Sequence, residues 1–449
     1  MSPTNVAAVD NTLDYMDQAS FLGLRARGRD PLIRWCWVYD HEVDLVALRR
    51  FHHNLGQGLL GRRIERSPLP FGRDRWVTWP GLPDIEIAPA ARPRSDFRAW
   101  AAEQAVVPID PERGPSWRLA VLPFTEGGAA VVLIVSHTIA DGGGAVVAVT
   151  DAAKGITHDM GYPPPASRTR FQAVREDARV LIRGLPEVAK SVLGALRLAR
   201  KDGTAAVRQK AAAIPAQAGL DRQVFVPSVT IQVDVEQWDK RARELGGSGP
   251  TLLLGFGVRC GKGLGWLAED GMVNISIPIS ERTPGDTRAN ALTNVTFTVD
   301  PDEVTTDLSG ARVKFTEALQ RLGEEGNELL GPLPLVPFVP QSAVRRLEGM
   351  VLKDKEVACS YLGELDPATN RPDGSDAAST YLLPFEQGIT FRDIRRADGI
   401  FHPVISGRVN GRVWIAIGFS NAECTTTRDE LAAVADSALD DMGLSGTVE

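Results

Sequence analysis

The chain has 449 residues, 43% of them hydrophobic and 24% charged, with a formal net charge of −7. These proportions exclude extensive disorder, and the length calls for two lobes of about 200 residues each rather than one ordinary domain. The acidic balance makes nucleic acid a poor partner, because phosphate binding needs a basic surface.

In chain order, residues 34–39 (Arg-Trp-Cys-Trp-Val-Tyr) read as an aromatic-rich strand. Residues 44–55 carry Leu45, Val46, Leu48, Phe51 and Leu55 at helical spacing. Residues 116–122 and 129–136 read as a strand pair across the turn Thr125-Glu126-Gly127-Gly128. The second of these, with Val131 to Val135 apolar on both faces, is expected to be a buried central strand. Gly142 to Gly144 then open a helix over 145–154. Residues 160–225 differ in composition: between 168 and 210 there are eleven Lys and Arg against four Asp and Glu. That segment reads as one or two amphipathic helices broken near 184–186, a crossover linker on the outside of the fold. The mixed pattern then returns, with strands at 229–235, 273–278 and 293–299 and helices at 235–245, 251–267 and 307–322. Residues 405–409 and 412–419 flank Asn410-Gly411, a strong hairpin signal, and Thr427 with Glu430 makes a capping box for a final helix. The division is therefore a first lobe over 1–159, a linker over 160–225 and a second lobe over 226–449, each an α+β layer arrangement.

The informative stretch is Ser136-His137-Thr138-Ile139-Ala140-Asp141-Gly142-Gly143, where a buried strand meets a glycine-rich turn before a helix. Such a turn holds an imidazole at a sheet edge. With a pKa near 6.5 a histidine is mostly neutral at pH 7 and can take a proton from a hydroxyl or amine attacking a thioester. Small residues at 142–144 let a ligand or backbone come close. The bland alternative is a core histidine followed by a helix-capping aspartate. Against it stand the scarcity of histidine, six in the chain, and the position of His137 at the end of the most apolar strand.

The stretch resembles the His-His-x-x-x-Asp-Gly motif of the CoA-dependent acyltransferase superfamily, in its condensation-type and wax ester synthase/diacylglycerol acyltransferase-type branch. The segment 13–22 (Leu-Asp-Tyr-Met-Asp-Gln-Ala-Ser-Phe-Leu) is similar to the N-terminal segment of the wax ester synthase-like enzymes. Pro278-Ile279-Ser280-Glu281-Arg282 resembles their Pro-Val-Ser-x-Arg element, and Asn290-Ala291-Leu292-Thr293 their Gly-Asn-x-x-Ser step. The basic linker is typical of them too. Three positions depart: Ser136 replaces the first histidine, Pro250-Thr251 an Asn-Asp pair, and Ala289 a glycine.

The resemblance implies two chloramphenicol-acetyltransferase-like lobes, mixed sheets with flanking helices, around a central channel with His137 midway along it. It implies an acyl group moved from a CoA thioester to a hydroxyl acceptor, with His137 as general base and no metal or redox cofactor. Asp141 would shape the site by pairing with an arginine, for which Arg282 is the candidate; the alternative is a solvated Arg282. Gly142, Gly143 and Asn290 would support the site, and Thr293 could donate to the thioester oxyanion, although threonine is also simply a good strand former. Two other readings stay open: an amide-forming condensation enzyme with an acyl-carrier-protein donor and an amine acceptor, and a silent homologue that binds an acyl ligand.

Other residues carry less. His52-His53 point to different helix faces without a partner at ligand spacing, which suits a partly exposed helix surface rather than a metal site. His402, beside Pro403, reads as structural. Cys36, Cys260, Cys359 and Cys424 are far apart, which suits a reducing compartment and excludes a Cys-based zinc site. There is no Gly-x-Ser-x-Gly elbow and no Walker loop. The first five residues show no leader character and no apolar run nears the roughly 18 residues of a spanning helix, so a cytoplasmic protein is expected. The basic linker leaves peripheral contact with the inner membrane face open, against solvated arginines paired with the acidic body.

Overall fold

A computed structural model describes residues 9–201, 219–326, 330–344 and 355–449, the side chains of 195–201 and 325 excepted. The N-terminal segment folds as α1 (Tyr15–Arg27), β1 (Asp30–Tyr39), α2 (Leu45–Leu55), β2 (Arg62–Glu65), β3 (Arg75–Thr78) and β4 (Glu86–Ile87). It continues through α3 (Phe97–Ala105), β5 (Trp117–Pro123), β6 (Ala129–Ser136) and α4 (Gly142–Lys154) to the long α5 (Arg170–Lys201). The second part comprises β7 (Ser228–Asp234), α6 (Val235–Glu244), α7 (Gly249–Gly263), β8 (Val273–Ser280), β9 (Leu292–Val299) and α8 (Ser309–Glu325). It ends with β10 (Glu356–Glu364), β11 (Ser379–Gln387), α9 (Phe391–Arg396), β12 (Ile400–Val409), β13 (Arg412–Ser420), α10 (Arg428–Asp441) and β14 (Gly446–Val448). These α and β elements form two sheet-rich lobes, in the α+β architecture expected.

The first sheet runs β11-β1-β6-β5-β4 and the second β14-β7-β13-β12-β10-β8-β9. β6 is buried along its whole length and pairs antiparallel with β1 and β5, as its β-branched run requires. The turn before it needs glycine: at Gly128, with φ +85°, a Cβ would lie 2.3 Å from the Tyr39 carbonyl oxygen. Trp35 and Trp37, two residues apart on one face of β1, stack with centroids 5.3 Å apart, and their indoles donate to Thr380 Oγ1 and the Thr369 carbonyl. Both of those partners come from the second half of the chain.

The division at 159 and 225 needs one amendment. β11, expected with the second lobe, pairs antiparallel with β1 over nine residues, from Asp30 opposite Gln387 to Val38 opposite Ser379. The second half thus closes the edge of the first sheet. The linker differs as well: α5 runs unbroken through Pro186. Its proline ring lies on the solvent side, and Gly184 is the residue that passes Tyr15, where a Cβ would sit 3.0 Å from the hydroxyl. Residues 202–218 of the basic segment lie outside the described residues. The hairpin and final cap follow the sequence signals: Asn410 and Gly411 have φ of 51° and 75°, and Thr427 and Glu430 exchange side-chain bonds to each other's backbone N–H. No helix among the described residues is long and apolar enough to cross a membrane.

Candidate active site

β6 delivers the motif. Its last residue, Ser136, is fully buried, and its hydroxyl donates to Asp30 Oδ1 at 3.1 Å while accepting from the Thr138 N–H. The His137 N–H donates to the Pro31 carbonyl, which pins the main chain to β1. The half-buried His137 then faces the second lobe, where its Nδ1 lies 3.0 Å from Asn290 Oδ1. The Asn290 amide is oriented in turn by Asp17, whose carboxylate accepts from the Asn290 N–H at 2.8 Å and from Asn290 Nδ2 at 3.4 Å. Only an oxygen is therefore left toward the imidazole, so Nδ1 carries the proton and donates it. The tautomer is set by that bond, and Nε2 becomes the atom with a lone pair.

Asp141 and Arg282 meet as well. Arg282 Nη2 donates to Asp141 Oδ1 at 2.9 Å, with side chains only 8% and 5% exposed. Asp141 caps α4 through the Gly144 N–H and accepts from the Ala291 N–H with its other oxygen. Arg282 also donates to the Arg288 and Ala289 carbonyls. The pair thus binds the start of α4 to the 282–291 loop of the second lobe, and neither charge is buried without partners. Gly143 and Gly144 lie against it: a Cβ on Gly144 would stand 3.2 Å from Arg282 Nη2. The close approach expected of a ligand at these glycines is made by the guanidinium. Gly142 would meet only Leu362, at 3.4 Å. Thr293, 2% exposed, lies on β9 opposite Ile279, three residues after Asn290.

Two residues of this cluster carry no sequence signal of their own. Asp17, buried on α1, also accepts from the Ala289 N–H, and burial pushes its pKa up against the pull of Arg62 and those N–H groups. Arg62, fully buried, donates to the carbonyls of Ile139 and Thr287 and covers the Trp76 ring at 3.9 Å. Asp17 falls inside the quoted 13–22 segment, so its position could have been marked; Arg62 stands in an ordinary Arg-Arg doublet. Ala289 in place of a glycine costs nothing, since it does not adopt a left-handed φ. Pro250 and Thr251 open α7, with Thr251 Oγ1 accepting from the Ser248 N–H. Of the pair expected on a partly exposed helix surface, His53 is exposed, but His52 is only 8% exposed and packs on Trp117 with centroids 5.1 Å apart, and burial lowers its pKa.

No protein-family model matches the chain and no curated protein is similar to it. Among solved structures, it is similar to the first condensation domain of the CDA synthetase, with 14% identity, 97% of this chain and 99% of that one covered, and a TM-score of 0.55. It is also similar to the nonribosomal peptide synthetase FmoA3, with 15% identity, 99% of this chain and 43% of that one covered, and a TM-score of 0.54. At such identities the likeness is one of fold: two lobes of the condensation-domain kind.

Proposed function

We propose that this protein is an acyltransferase of the condensation type, in which His137 is the general base. The observation that carries the reading is the bond from His137 Nδ1 to Asn290 Oδ1, which leaves Nε2 as the basic atom between two lobes. In the reaction, Nε2 takes the proton of an amine or hydroxyl as that group attacks a thioester carbonyl. The carbon–sulfur bond then breaks, the thiolate leaves, and the imidazolium returns the proton to it as a thiol. Backbone N–H groups, with Thr293, would hold the oxyanion between these events. The Asp141–Arg282 pair positions the 282–291 loop and relays no proton.

The condensation-domain fold favours an acyl-carrier-bound donor and amide formation. A CoA thioester and a hydroxyl acceptor form the second reading, favoured by the wax ester synthase-like elements at 278–282 and 290–293. The test is acceptor-dependent thiol release from carrier-bound and CoA-bound acyl donors, with amines and alcohols offered to each. Wild type should release thiol from one donor class, and His137→Ala should lose at least about a hundredfold. Release unchanged in His137→Ala, or no release from either donor class, overturns the reading in favour of a ligand-binding homologue.

A further inference from the structure

A cavity of ≈ 210 Å³, lined by none of the residues of the His137 cluster, opens between β11, α3 and the start of β7. Its walls include Phe225 and Phe385, and its polar groups include Arg34, Arg98, Arg428 and His402. Arg34 stands in the middle of β1, a strand paired on both sides, so its side chain is committed to the sheet face. It is partly buried and makes no ion pair among the described residues; its Nε has no hydrogen-bond partner, while its guanidinium stands beside the Cys36 thiol and the Tyr381 hydroxyl. Its guanidinium carbon lies 5.7 Å from the Phe385 ring centroid.

Arg428 repeats the pattern. Its Nε is also buried without a partner, and its ion pair is a 3.7 Å contact with the adjacent, 96% exposed Asp429. Arg98 pairs with the half-exposed Glu449 of the same wall, at 3.8 Å. The other acid of the wall, Glu386, is engaged by Arg27 and Arg29, both at 3.5 Å. His402 lies across from Gly418, where a Cβ would stand 2.9 Å from its Nδ1, and its Nε2 is buried without a partner. Burial lowers its pKa to about 4, so at neutral pH the ring adds a hydrogen-bonding group without charge. Two arginine Nε donors and one imidazole nitrogen beside this cavity are thus buried without a partner, although buried polar atoms in folded proteins almost always find one. A guanidinium without a carboxylate recognises carboxylate and phosphate alike.

We propose that this cavity binds a small organic anion, a phosphate monoester or carboxylate head on an apolar body. The head sits among Arg34, Arg428 and His402, and the body lies along Phe225 and Phe385. Its lining shares no residue with the His137 cluster, and binding is measured with no acyl donor present.

The experiment is isothermal titration calorimetry of the whole protein with phenyl phosphate and with phenylacetate, using 2-phenylethanol as the neutral counterpart. Saturable binding of one or both anions is expected, at least about tenfold tighter than the alcohol and weakened by salt. A preference between the anions identifies the head group. Arg34→Met should weaken binding at least about tenfold, with its melting temperature showing whether the fold is kept. Arg428→Gln, at a side chain 36% exposed, should weaken it in the same direction and decides the matter if Arg34→Met does not fold. No saturable binding of either anion up to about 10 mM, or wild-type binding by Arg428→Gln together with any folded Arg34→Met, overturns the proposal.

Discussion

A neutral imidazole carries its proton on one of two nitrogens, and at His137 Asn290 makes the choice. Asn290→Leu removes the acceptor while keeping the volume, and we expect kcat to fall about 10- to 100-fold with KM little changed. Asn290→Asp puts a carboxylate beside the ring, so the acidic limb of the pH–rate profile should move to higher pH; an unmoved limb would leave Asn290 a purely structural residue. The Asp141–Arg282 pair is a second local commitment. Asp141→Asn leaves a buried guanidinium without its counter-charge and should cost on the order of 3–5 kcal/mol in urea unfolding. His137, Asp141 and Arg282 were legible because the motif residues are contiguous or sit in a short recognisable element. Arg62 was not, because nothing in its local sequence separates a buried positioning charge from a surface one, and Asp17 was marked only by the 13–22 segment that contains it. The serine replacing the first motif histidine has its own signature: its partner Asp30 is pushed by burial to about 7. A carboxyl raised above its unfolded value of 3.8 binds its proton more tightly when folded, so its contribution is full below about pH 4 and is lost as pH rises to about 7. His402, lowered from 6.5 to about 4, acts with the opposite sign, its contribution falling away as pH drops through that window. Asp30→Asn should therefore gain stability over wild type as pH rises from 4.5 to 7.5, by an order of a few kcal/mol, measured by urea unfolding at the two values.

Among the elements, α7 shows how packing overrules propensity. Its glycines argue against a helix, yet it is buried on nearly every side and packs against β10 and α10. Gly257 lies where a Cβ would stand 2.8 Å from Cys359 Sγ, and Gly255 where one would stand 2.9 Å from Met442 Cε. Cys359 is itself buried on a central strand, with no long arm to swing aside. Gly257→Ala should thus destabilise by about 1–3 kcal/mol despite improving helix propensity, and a raised melting temperature would refute the packing argument. The apolar run of α7 made the helix legible in sequence, whereas the reason for its glycines lies in strands a hundred residues away. α5 is the converse: Gly184 and Pro186 suggested a break, but a helix whose proline faces solvent can continue with one hydrogen bond fewer.

At the scale of the whole molecule, the apolar run at 381–385 fits a strand in either sheet, and sequence pattern does not choose. The choice is made by β1, whose free edge carries Trp35 and Cys36 opposite Leu382 and Tyr381. The first lobe alone, residues 1–159, would expose that edge, and we expect it to aggregate or remain unfolded. A folded monomer on size-exclusion chromatography would show the lobe to be autonomous. The two α+β lobes were readable from element order, while the exchange of β11 was not, because it is a long-range pairing with no local signature. The same strand gives the chain a timetable. On the ribosome, β1, β5 and β6 emerge together, but their missing neighbour follows roughly 250 residues later, at about 5–20 residues per second. For tens of seconds the growing polypeptide carries an unsealed, tryptophan-lined sheet edge that closes only when residue 387 arrives.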